Sequence, residues 1–272
     1  MDMYLFLSPC LCTMTIPSDI VELLDTEARR INHPDFISAD PVQFPRRFTD
    51  PRDIEIAALL CSTIAWGNRQ MICRDCNRML ALMDNQPYSY VADEGYEELP
   101  DQNIHRTFFA ANMRHYLRGL HAIYKRYGSL QEFARARGVA AHPDAPWVLA
   151  REIGAELAAA NEGVADSRCL PTNMRTTALK RLNMALRWLV RRDGIVDLGI
   201  WDVLTPAQLY IPLDVHVGNT ARDLGLLTRR SDDRRSVEEL TAVLRELRPD
   251  DPALYDYALF GIGIEGKSAV KA

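Results

Sequence analysis

Two residues in the second half of the chain have the types and surroundings to attack a carbon centre. Lys180 lies early in the helix-like run LKRLNMALRWLVR, and Asp214 follows 34 positions later in IPLDVHVGNTARDLGL. A lysine amine is a nucleophile only when neutral, and an unperturbed lysine is neutral to about 0.04% at pH 7. The N-terminal end of a helix, where the dipole is positive, favours the neutral form, and so does burial. A carboxylate at a helix N-terminus can face a cleft, take up a proton and stabilise developing positive charge. Each residue also has a plainer reading: a surface lysine paired with a phosphate or carboxylate, and an aspartate that only caps a helix. The chemistry requires the fold to bring the two together beside a pocket.

The charge around these residues is uneven. Between Ser167 and Arg192 lie seven basic residues (Arg168, Arg175, Lys180, Arg181, Arg187, Arg191 and Arg192) and no acidic one. A second cluster, Arg222, Arg229, Arg230, Arg234 and Arg235, follows Asp214. A local basic face is the electrostatic footprint of phosphate binding. The alternative is a solvated surface whose counterions are Asp166, Asp193, Asp232 and Asp233. The whole chain, with a formal net charge of -5, does not announce a nucleic-acid binder.

At 272 residues, 47% hydrophobic and 25% charged, the chain reads as globular, with length for one large core or two packed helical lobes. No stretch approaches the roughly 18 uninterrupted apolar residues of a membrane span, so a soluble protein with no membrane partner is expected. The six cysteines show no disulfide pattern, and free thiols fit the reducing cytoplasm. Cys73 and Cys76 form a CxxC without a second pair or a nearby histidine. The six histidines (33, 105, 115, 121, 142 and 216) never take ligand spacing, so neither metal nor cofactor is expected. Residues 1–15 read as an N-terminal extension without the basic start of a targeting segment, with Met14 as an alternative initiator.

Helical periodicity dominates the chain. Ile20, Leu23, Leu24, Ala28 and Ile31 form one face after Ser18, and a Pro-punctuated loop runs from Pro34 to Pro45. Asp50-Pro51 opens the most apolar helix, Ile54 to Trp66, closed by Gly67. A further helix starts at Asn68, and Ile104, Phe108, Phe109, Met113, Tyr116 and Leu117 share another face. Ser129 with Glu132 makes a capping box. Helices are expected over Trp147–Ala160 and Thr177–Arg191, after Asp214, after Ser236 with its Glu239, and from Asp251-Pro252. No β-hairpin, repeat or linker is evident, so the fold class is all-α.

Taken together and in order, these segments resemble the helix-hairpin-helix (HhH-GPD) base-excision DNA glycosylases. In that superfamily a lysine opens the second helix of the hairpin, and a downstream P-(V/L)-D-x-H/R-(V/I) segment carries the catalytic aspartate. Here Leu170-Pro171 precedes Lys180, and Pro212-Leu213-Asp214-Val215-His216-Val217 follows. The nearest likeness is to the archaeal AGOG-type 8-oxoguanine DNA glycosylases, which also have an irregular hairpin. Their late D-x-x-x-W, which holds the damaged base, is echoed by Asp256 and Phe260 in LYDYALFGIG. The likeness covers mainly residues 168–264 and has departures. The hairpin L-P-G-x-G is replaced by Leu170, Pro171, Thr172, Asn173 and Met174, without glycine. No cysteine follows Cys169, so the iron–sulfur cluster of the endonuclease III branch is excluded. Over residues 18–264 the chain also resembles an uncharacterised bacterial family, through DPRDIEIAALLCSTIAWGNR, KRLNMALRWLVR, IPLDVHV and YDYALFGIG.

The resemblance implies two closely packed helical lobes with a cleft between them, forming one unit over residues 16–272 whose basic catalytic half spans 167–264. It implies a monomeric DNA glycosylase/AP lyase that flips a damaged base, such as 8-oxoguanine, from duplex DNA and removes it through a lysine Schiff base. Lys180 and Asp214 are then catalytic, and Asp256, Phe260 and Trp66 line the base pocket. Arg175, Arg181, Arg187, Asn68 and Arg69 contact DNA. On the residues alone, Trp66 and Trp188 read as core rather than as pocket or strand contacts. Two further readings stand beside this one: a non-catalytic nucleic-acid-binding protein on the same scaffold, and a helical interaction scaffold with no nucleic acid.

Overall fold

The computed structural model describes residues 16–269, with side chains described as far as Ile264. The extension at residues 1–15, with Met14, Cys10 and Cys12, lies outside the described residues. The architecture is all-α. Its helices are α1 (Ser18–Ile31), α2 (Pro34–Ile37), α3 (Pro51–Thr63), α4 (Arg69–Ala81) and α5 (Pro87–Ala92), then α6 (Ala110–Tyr127), α7 (Leu130–Ala136) and α8 (Ala145–Ala159). An irregular stretch leads to α9 (Lys180–Val190), α10 (Val215–Asp223), α11 (Arg234–Leu247) and α12 (Tyr255–Ala269). Among the described residues no helix is long and apolar enough to cross a membrane.

Side-chain caps set many of the boundaries. Asp50 accepts from Arg52 N at 2.8 Å with Pro51 at the first helical position, Asn68 accepts from Met71 N, and Ser129 accepts from Glu132 N. In each case an orphan N–H of the first turn finds an oxygen, worth about 1 kcal/mol per cap. Helix α11 starts earlier than its Ser236–Glu239 pattern predicts. Asp233 takes the cap by accepting from Ser236 N at 3.0 Å, and the buried Ser236 hydroxyl turns back to donate to Ser231 O.

Two further expectations need correction. Ile104, Phe108 and Phe109 do not continue the helical face of Met113 and Tyr116. They form a small antiparallel hairpin, β1 (Asn103–His105) and β2 (Phe108–Phe109), with Arg106 at φ +50°. Spacing of three and four satisfies a helix and a tight hairpin alike, and here the backbone of Gln102 accepts from Ala110 N at 2.9 Å to close the ribbon. Helix α9 likewise begins at Lys180 rather than Thr177. Thr177 Oγ1 accepts from Leu179 N at 3.2 Å, and Leu179 sits in the left-handed region at φ +49°.

Helix α3 is buried along nearly its whole length and packs against α9; α1 packs on α12, α10 on α12, and α6 on α8. Glu55 is buried within this apolar helix, where one carboxylate ties four segments together. It accepts from Tyr124 Oη at 2.8 Å, Leu130 N and Gln131 N at 2.9 Å, and Trp201 Nε1 at 2.8 Å. Burial pushes its pKa up, and these donors oppose the rise. Cys61, Cys73, Cys76 and Cys169 are free thiols.

Candidate functional site

Two helix ends meet at the candidate site. Helix α3 finishes at Thr63, leaving the carbonyls of its last turn and of the residues just beyond without helical partners. The first two residues of α9 reach them. Lys180 Nζ donates to Ala65 O at 3.5 Å, and Arg181 Nη1 donates to Thr63 O at 2.7 Å and Arg168 O at 3.3 Å. Cations at a helix C-terminus are stabilised by the negative end of its dipole. This explains why two adjacent basic side chains of one helix converge on the end of another. Burial lowers the Arg181 pKa below the usual arginine value.

Asp214 meets Lys180 from the other side. It stands in extended backbone immediately before α10, and its Oδ1 accepts from His216 N at 2.9 Å and Val217 N at 3.1 Å. The plain capping role therefore holds, but it occupies only one oxygen. The other, Oδ2, lies 3.6 Å from Lys180 Nζ. The two side chains are 29% and 26% exposed, open enough for a ligand to touch both.

The pair lines a cavity of about 560 Å³, within the usual range for a small-molecule or cofactor pocket. Its aromatic surface comes from Phe36, Trp66, Tyr257 and Phe260, and its remaining polar groups include Asp40, Arg69, Arg181, Arg187 and Asp256. A second cavity of about 290 Å³ shares Lys180 and Arg181 and extends toward Thr63, Tyr116 and Cys169. Among the described residues no cluster of histidine, cysteine and carboxylate side chains could hold a metal ion.

The deep end of the main cavity is a charge network. Asp256 is buried and pairs through Oδ2 with Arg187 Nη1. Arg187 Nε reaches Asp197 Oδ1 at 3.3 Å, and its guanidinium lies 4.2 Å from the Tyr257 ring centroid. Arg191 joins Asp197 and, at 2.9 Å, Asp251. Burial pushes the Asp256 carboxyl up to about 6 against the pull of Arg187, and Asp214 adds to the rise.

The structure brings Lys180, Asp214, Asp256, Phe260, Trp66, Arg69, Arg181 and Arg187 to one cavity. Arg187, expected to contact DNA, has a side chain only 5% exposed and paired with the buried carboxylates of Asp197 and Asp256, so it sits in the cavity wall rather than on an outer basic face. Arg175 is exposed and forms no ion pair among the described residues, but it lies outside the cavity lining. Asn68 is the cap of α4, also outside that lining. Trp66 faces the cavity, with its ring edge-on to His105 at 4.7 Å, whereas Trp188 is core. In the second basic cluster, Arg222 and Arg229 are ion-paired with Asp232 and Asp233, two of the counterions named by the solvated-surface reading, and Arg234 with Asp144. Sequence reasoning missed Phe36 and Asp40, placing both in a loop. The one signal was Asp40-Pro41, a cap-and-proline pair like Asp50-Pro51.

Fold and site together define an all-α protein with a lysine–aspartate pair at the wall of an aromatic, carboxylate-bearing cavity. The chain belongs to the family described as Protein of unknown function (DUF2400), whose model matches residues 40–265. No curated protein matches the chain, and no solved structure does.

Proposed function

We propose that the protein is a DNA glycosylase/AP lyase that removes a damaged base, such as 8-oxoguanine, through a Schiff base on Lys180. The observation that carries this reading is the Lys180 amine, 3.6 Å from the open oxygen of Asp214, at the wall of a cavity of about 560 Å³. The glycosylase-like arrangement of two helical lobes, with this cavity as the cleft, belongs to the same proposal. So does a monomeric, cytoplasmic protein acting on damaged duplex DNA in base-excision repair.

The reaction follows from the pair. Lys180 passes one proton to Asp214 Oδ2, and the freed amine adds to C1′ of the flipped nucleotide's sugar. The bond from C1′ to the base breaks, its electron pair goes to the base, and the base leaves with a second proton from the amine. Asp214 then gives its proton to the ring oxygen as the sugar opens, leaving an iminium between C1′ and Nζ. Three ammonium protons are thus accounted for: one on the ring oxygen, one on the base and one on the iminium nitrogen. The aromatic walls supply stacking surface for the extruded base, which offsets part of its unstacking.

Borohydride trapping on duplexes containing 8-oxoguanine, uracil or an abasic site tests the proposal. A covalent adduct is expected with wild type and none with Lys180→Gln. A folded wild-type protein that binds DNA but gives no adduct on any of them supports the second reading, a non-catalytic nucleic-acid-binding protein. That reading draws on the contact itself, since a Lys180–Asp214 ion pair is also a sufficient structural role for both residues.

A further inference from the structure

The main cavity contains three carboxylates, each with one oxygen hydrogen-bonded by the protein, and the second oxygen of Asp214 faces Lys180. Asp214 uses Oδ1 on two backbone N–H groups, and Asp256 uses Oδ2 on Arg187. Asp40 uses Oδ1 to accept from Val42 N at 3.1 Å. Its Oδ2 has no hydrogen bond among the described residues. It faces Arg69 Nη2 at 3.9 Å, beyond hydrogen-bond distance. Asp40 comes from the N-terminal segment, where neither the capping chemistry nor the lysine–aspartate pair accounts for it. A serine, threonine or asparagine would cap the turn at Pro41 equally well without placing a charge in a cavity wall.

Arg69 shows what kind of group that wall accommodates. Its guanidinium lies 4.8 Å from the Phe260 ring centroid and 5.6 Å from that of Phe36, with its edge toward Asp40. A flat, stackable group whose rim is made of N–H donors describes a guanidinium. It also describes the amide and amine edge of a guanine-type base. We infer that Asp40 is a specificity-determining residue of the cavity, whose Oδ2 accepts N–H donors from the edge of the bound base. An ionised carboxylate only accepts, so it favours a base edge with adjacent N–H groups and rejects one presenting a carbonyl. This inference rests on the glycosylase reading, and its test separates the two.

The test compares wild type with Asp40→Asn, which keeps the cap and replaces one acceptor oxygen with an N–H₂ donor; Asp40→Ser, which also caps, serves if the asparagine variant melts early. The rate of borohydride trapping is measured on an 8-oxoguanine duplex and on an abasic duplex, which has no base to read. In parallel, binding of free 8-oxoguanine is followed by quenching of tryptophan fluorescence. Asp40→Asn is expected to lower the ratio of the two trapping rates, and the affinity for the free base, by about tenfold or more. An unchanged ratio, or equal loss on both duplexes, overturns the inference. If wild type traps no duplex, the glycosylase reading fails and the free base alone decides Asp40. Binding that the variant weakens about tenfold sustains its role. Absent or equal binding overturns it.

Discussion

Replacing Asp256 with asparagine should change how stability depends on pH, and the size of the change follows from the burial of this carboxyl. In the folded protein burial holds it at about 6, against an ordinary value of 3.8. Folding therefore favours the protonated acid. Above pH 6 the group is ionised in both states, and the folded state carries the full cost of a buried charge, about 3 kcal/mol for that gap. As pH falls through 6 the folded state takes up its proton first and the cost shrinks. Below 3.8 both states are protonated and the contribution is gone. At pH 4.5 about 2 kcal/mol of it has been recovered. Asparagine at this position cannot titrate, so wild type should gain about 2 kcal/mol relative to Asp256→Asn between pH 7 and pH 4.5. Urea denaturation of both proteins at the two pH values reads this directly, because the other titrating groups cancel in the comparison. A stability difference that stays constant, or wild type losing ground as pH falls, would refute the reasoning. It would mean that Arg187 outweighs burial and holds the carboxylate ionised.

Other substitutions separate structure from chemistry. Asp214→Asn keeps an oxygen for the cap of α10 and should lose less than about 1 kcal/mol, whereas Asp214→Ala should lose about 1–2 kcal/mol; thermal melting distinguishes them, and equal losses would deny the capping role. Arg187→Met should cost about 3–5 kcal/mol in urea denaturation, because it strands Asp256 without its ion-pair partner; a loss below about 1 kcal/mol would mean that the network contributes little to the folded state. Gly67→Ala places a side chain at φ +103°, with its Cβ 2.5 Å from Arg106 Nη1. A loss of about 1–3 kcal/mol is expected by thermal denaturation, mostly from the backbone, since the arginine tip can move aside. A melting point equal to wild type would contradict it.

The all-α class was legible because its signals are local. Asp50, Asn68, Ser129 and Asp214 announce helix starts through an oxygen two or three residues from the N–H it serves. The meeting of Lys180 with Asp214 was not in their spacing; it entered as an expectation through the resemblance, and the structure places the two 3.6 Å apart. The role of Arg187 was hidden for a related reason. Arg187 and Arg191 are one helical step of four apart, which puts them on one stripe, but a basic stripe reads as surface until its counterions are known. Asp197, Asp251 and Asp256 lie outside that helix, and no periodicity links them to it. Phe36 and Asp40 were obscure because prolines break the pattern around them, so no helical or strand periodicity marks which way their side chains face. The hairpin at residues 103–109 was misread because apolar spacing does not distinguish a short ribbon from the start of a helix.

The cavity's walls come from segments far apart in the chain, with consequences for when it can exist. The Lys180 contact with Ala65 joins positions 115 apart, and Tyr255 Oη meets Asp25 Oδ1 at 2.9 Å across 230 positions. Contacts of such long range require large loops to close first, so they form late and slow the approach to the native state. During synthesis the Phe36 ring, which packs edge-on against Tyr257 and Phe260, must wait until α12 has left the ribosome. A chain stopped short of Tyr255 therefore leaves that ring bare, an exposed apolar surface of the kind that promotes aggregation.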